Sequence, residues 1–85
     1  MHSITCTVGS AVGLHARPAA LISQAAGSLG SAVLIGVPGG QAVDASSALL
    51  IMTLGAGKGA TVEVSGEDQS AVEKIADLVG QDLDA

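Results

Sequence analysis

An 85-residue chain with 48% hydrophobic and 13% charged residues is too apolar for intrinsic disorder and too short for a second domain or a deep substrate pocket, so residues 1–85 read as one domain. A net charge of −5 and the absence of every Phe, Tyr and Trp disfavour nucleic acid, whose backbone wants a basic surface and whose bases want aromatic platforms. No charged-then-apolar leader and no apolar run of about 18 residues is present, so a cytoplasmic location without membrane insertion is expected.

From Ser3 to Val8 small polar residues alternate with Ile4, Cys6 and Val8, the period of a half-buried strand. The single cysteine, Cys6, has no disulfide partner and reads as a buried, inert thiol. Gly9 to Gly13 form a loop. From Ala16 the apolar residues Ala19, Ile22, Ala26 and Leu29 recur at helical spacing, and Gly27 and Gly30 supply a stop. Pro18 falls in the first turn of that helix, where its missing N–H costs nothing, although it disfavours the helical conformation at Arg17 and predicts a local distortion there.

Ala32–Val37 reads as a second strand, Pro38-Gly39-Gly40 as a tight turn and Gln41–Asp44 as a short third strand. Ser46-Ser47 caps a brief helix running to Leu54. Its stretch Ala48-Leu49-Leu50-Ile51-Met52 is apolar on almost every side, so in so small a domain one face is expected to stay exposed as a docking surface. Gly55–Gly59 is a flexible connection, and Ala60–Ser65 alternates again with Val62 and Val64 inward. A last helix starts near Asp68, where Ser70-Ala71-Val72-Glu73 fits a capping box, and carries Val72, Ile75, Ala76, Val79 and Leu83 as its apolar stripe. The order β-α-β-β-α-β-α predicts an α+β open-faced sandwich, a four-stranded antiparallel sheet with three helices on one face.

Chemistry concentrates in Gly13-Leu14-His15-Ala16-Arg17-Pro18-Ala19-Ala20. The first amides of a helix lack internal partners and carry the positive end of its dipole, so the segment is suited to an anion. Arg17 adds paired donors that match phosphate oxygens. A phosphoryl group attached to His15 is the simplest chemistry for this set, while a surface or capping histidine is the plain alternative. The remaining signals are weak. Gly55-Ala56-Gly57-Lys58-Gly59 lacks the spacing of a nucleotide loop, Gly27-Ser28-Leu29-Gly30 mimics an RNA clamp without a basic surface, and His15 with Cys6 is too few for a metal site. No cofactor and no metal are expected.

The Gly13–Ala20 segment resembles the active-site signature of the HPr family, the histidine-containing phosphocarriers of the bacterial sugar phosphotransferase system. The similarity runs almost end to end and includes Ser47-Ala48-Leu49-Leu50-Ile51-Met52-Thr53-Leu54-Gly55, which is similar to that family's regulatory-serine segment. The resemblance implies a phosphorylated protein intermediate rather than an enzyme with its own small-molecule substrate. His15 would be phosphorylated on Nδ1 by phospho-enzyme I, which draws on phosphoenolpyruvate, and would pass the group to sugar-specific IIA components. It further implies that Ala16 and Arg17 bind the phosphate, and that Ala16, Ala20, Gln24, Ala48, Leu49 and Met52 form the partner interface. Ser47 matches the site modified by HPr kinase/phosphorylase, although Ala45 stands where a basic residue often precedes it and the turn around Pro38–Gln41 is one residue longer. A monomer is expected. The remaining alternatives are a docking module for a transcriptional regulator or metabolic enzyme, with phosphorylation as its switch, and a domain that binds a small anion without a covalent bond.

Overall fold

The alternating stretches pair because each buries one side and leaves the other wet. In the computed structural model, which describes residues 1–83, they form β1 (His2–Thr7), β2 (Val33–Gly36), β3 (Val43–Asp44) and β4 (Thr61–Gly66), interleaved with α1 (Ala16–Ser28), α2 (Ala48–Met52) and α3 (Gln69–Gly80). Most of the acidic residues fall between Glu63 and Asp84, and Asp84 itself lies outside the described residues. The strands make one antiparallel sheet in the order β1-β4-β2-β3. Val64 lies opposite Ile4 on one side and Ile35 on the other, and Ile35 lies opposite Val43. This apolar row faces the helices, while Thr5 and its partner Glu63 are exposed on the open side. The expected open-faced sandwich is the fold observed.

With no aromatic ring available, branched aliphatic side chains fill the space between sheet and helices. Ile22 of α1, Ile51 of α2 and Val72, Ile75 and Val79 of α3 are fully buried against Ile35, Val62 and Val64. Each such side chain contributes about 1.5–3 kcal/mol through the apolar area it removes from water. Cys6 is half-buried rather than buried, because it sits on an edge strand, and that burial pushes its thiol pKa up.

Element limits differ from the sequence reading for local reasons. Gly27 lies inside α1, with nothing within 4 Å of the Cβ it lacks, and the stop comes from Gly30 at φ +71°. Arg17 is regular helix despite the proline that follows. In α3 the N-cap is Asp68, not Ser70: one carboxylate oxygen accepts from the amides of Ser70 and Ala71, at 3.0 and 3.4 Å, and from the Ser70 hydroxyl. Leu83 follows the end of α3 instead of extending its stripe. Residues Gln41 and Ala42 stay outside β3, and α2 ends at Met52, two residues before Leu54. The Pro38–Gly40 turn forms, closed by the Gly40 amide on the Val37 carbonyl at 2.9 Å.

Candidate functional site

The segment that delivers His15 is held at three points before the helix begins. The Gly13 amide donates to the Ser10 carbonyl at 2.9 Å, the Leu14 amide to the Ala56 carbonyl at 2.8 Å, and the Leu14 side chain is buried in the core. Gly13 has φ +77°, and a Cβ there would stand 2.5 Å from the Ala56 oxygen, so only glycine lets the two loops meet. His15 is then extended (φ −99°, ψ −163°) as the N-cap of α1, and its carbonyl accepts the first helical bond, from the Ala19 amide at 2.8 Å. The Ala16 and Arg17 amides precede that first bond, and Pro18 has none to offer.

The His15 side chain makes no capping hydrogen bond and is exposed. Its ring borders a shallow hollow of about 180 Å³ shared with Val12, Met52, Ala56 and Gly57. No acid stands in the first turn of α1, and Arg17 is the helix's one charged residue, so nothing on this element opposes the positive end of its dipole. The Arg17 guanidinium is exposed, with Nε–H donating to the Leu83 carbonyl at 3.4 Å. An exposed imidazole, free amides and a guanidinium at one helix start can hold a doubly charged oxyanion through charge-assisted hydrogen bonds.

Around this point the small-residue positions sort by exposure. Ala16 and Gln24 are exposed and Ala20 is half-buried, and their spacing of four puts them on one face of α1. In α2, Ile51 takes the core position, Ala48 and Met52 are half-buried, and Leu49 is 70% exposed. Val12, in the loop before α1, is 59% exposed beside His15 and adds to the apolar surface. Met52 and His15 line the same hollow, and α1 packs on α2.

Ser47 is the N-cap of α2, its hydroxyl accepting from the Leu50 amide at 3.3 Å. Ser46 instead turns back to Asp44, donating its amide and hydroxyl at 2.9 and 2.7 Å, which holds the Asp44 pKa below the usual carboxylate range. Ser10, Ala56 and Leu83 were missed as site residues. Ala56 and Leu83 reach the site only through contacts distant in sequence, whereas Ser10 is tied locally to Gly13 and to Leu83 only across the fold.

Among the described residues, no helix is long and apolar enough to cross a membrane, and no three His, Cys, Asp or Glu side chains gather where they would hold a metal. The family model described as PTS HPr component phosphorylation site matches residues 2–81. Phosphocarrier protein HPr of Streptomyces coelicolor is 38% identical over 80 residues, covering 91% of this chain and 86% of that protein. Its counterpart in Cupriavidus necator is 41% identical over 76 residues, covering 86% and 84%. Among solved structures, HPr-C-His of Thermoanaerobacter tengcongensis superposes with a TM-score of 0.83 at 34% identity, covering 93% of this chain and 91% of that one. HPr of Bacillus anthracis gives 0.82 at 33%, covering 92% and 95%. Fold and relatives together define a phosphocarrier of the bacterial phosphotransferase system. The chain belongs to the HPr family.

Proposed function

We propose that His15 is the residue that carries the phosphoryl group, accepting it on Nδ1 from phosphorylated enzyme I and surrendering it to IIA components in the cytoplasm. The imidazole lone pair attacks phosphorus as the bond from phosphorus to the donor breaks, and a second displacement, by a nucleophile of the acceptor, breaks the new P–N bond and passes the group on. Such transfers need positioning and charge stabilisation more than covalent help. The Ala16 and Arg17 amides and the Arg17 guanidinium supply both by binding the phosphoryl oxygens. The carrier needs no closed pocket because each partner completes the site, docking on Ala16, Ala20, Gln24, Ala48, Leu49 and Met52. The observation that supports this reading best is the exposed His15 closing an unopposed helix N-terminus.

A phosphate on Ser47 would lie at the start of α2, beside that docking surface. It would favour the helix through the dipole and repel acidic partners. The test of the carrier reading is incubation with phosphoenolpyruvate and enzyme I, followed by intact mass measurement. One acid-labile phosphoryl group is expected on the native chain and none on His15→Ala. An unchanged mass, with anion binding retained in His15→Ala, would sink the covalent reading in favour of a small-anion site.

A further inference from the structure

The segment that leads into His15 and the segment that holds Arg17 are each tied to one buried residue, Ser10. Ser10 is 1% exposed. Its carbonyl receives the Gly13 amide at 2.9 Å, closing the turn that leads into His15. Its hydroxyl works in the other direction, donating to the Gln81 carbonyl at 3.4 Å and accepting the Leu83 amide at 3.2 Å. The Leu83 carbonyl in turn accepts Nε–H of Arg17. The Gly9 amide adds a bond to the Val79 carbonyl at 3.0 Å, which seats this loop on the last turn of α3.

We propose that Ser10 is a positioning residue for the phosphoryl site, bracketing the chain at 81–83 so that the Leu83 carbonyl orients the Arg17 guanidinium. The proposal rests on the roles given above to His15 and Arg17. A guanidinium has five N–H donors. Engaging Nε on a fixed carbonyl leaves the four terminal hydrogens for phosphate oxygens. It also removes in advance part of the side-chain freedom that an arginine otherwise loses when it grips an anion. Alanine at position 10 keeps the backbone turn and most of the packing, yet deletes both hydroxyl bonds and frees the carbonyl that Arg17 uses.

The experiment compares the native chain with Ser10→Ala, Arg17→Ala and the double variant. Solvent exchange of the Arg17 Nε–H is followed by nitrogen-resolved NMR, and the lifetime of phospho-His15 is followed after removal of enzyme I. In Ser10→Ala the Nε–H exchanges faster and the phosphohistidine lifetime falls by about threefold to tenfold, the scale of one lost hydrogen bond. In the Arg17→Ala background the serine substitution changes the lifetime no further. Should Ser10→Ala fail to fold, Leu83→Pro deletes the amide donated to Ser10 and is expected to give the same shifts, with Leu83→Ala as the control for the side chain it also removes from the core. An unchanged Nε–H signal, or an equal lifetime loss with and without Arg17, overturns the proposal. If the native chain accepts no phosphoryl group, the carrier reading fails, while the Nε–H measurement still decides the bracket.

Discussion

Gly13→Ala is the substitution whose cost follows most directly from the geometry. An L-residue at φ +77° loses ~1–2 kcal/mol to backbone strain. The new Cβ would also lie 2.5 Å from the Ala56 oxygen and 2.7 Å from the Gly57 Cα. Both are main-chain atoms, so the loops must separate and the Leu14 amide loses its bond to Ala56, which adds ~1–2 kcal/mol. A total loss near 2–4 kcal/mol is expected from urea unfolding followed by circular dichroism. Gly27→Ala is the control, since nothing lies within 4 Å of its Cβ inside α1, and it should stabilise by ~0.5–1 kcal/mol. Because Leu14 anchors the residue before His15, Gly13→Ala should also slow phosphorylation by enzyme I at temperatures where the variant stays folded. A loss below ~0.5 kcal/mol, the range of an ordinary surface change, would refute the claim that this glycine joins the two loops.

Other outcomes follow from single residues. Hydrogen bonds from Ser46 and Ser70 hold the pKa values of Asp44 and Asp68 below their ordinary 3.8. Both carboxylates therefore contribute stability that is fully present above that value and drains away as pH falls through the lower folded values. Asp68→Asn keeps a capping oxygen, so acid titration of its stability should be shallower than the native curve, and an identical curve would contradict the assignment. Ser47→Ala removes the cap of α2 and should cost ~0.5–1 kcal/mol in thermal unfolding, whereas an unchanged midpoint would leave that cap without energetic weight. Burial raises the Cys6 thiol pKa, so alkylation at mildly alkaline pH should be several-fold slower in the folded chain than in urea, and equal rates would show the thiol to be open to solvent.

What the chain reveals about itself depends on how far apart the interacting groups lie. The start of α1 was legible because His15, Pro18 and the apolar spacing from Ala19 act within one turn. The strands were legible from alternation, and register followed in the structure once Val64 had Ile4 on one side and Ile35 on the other. In α3 both Asp68 and Ser70 suit a cap, and a two-residue ambiguity of that kind resolves only when the carboxylate meets two amides at once. Within α2 every residue is apolar, so periodicity alone does not separate buried Ile51 from exposed Leu49. That division comes from the sheet and α1 packing against it. Least legible was the link from Ser10 to Leu83, 73 positions along the chain. Nothing in either local sequence marks it.

The central claim is that one exposed imidazole, at a helix end with unpaired amides, takes and gives up a phosphoryl group. Nitrogen and phosphorus NMR of the chain after treatment with phosphoenolpyruvate and enzyme I tests it most directly. A single phosphorus resonance coupled to Nδ1 of His15, lost on addition of a IIA component, with His2 unmodified, is the expected result. Phosphate on His2, on Nε2 or on a serine, or a His15 phosphate that no IIA component removes, would contradict it.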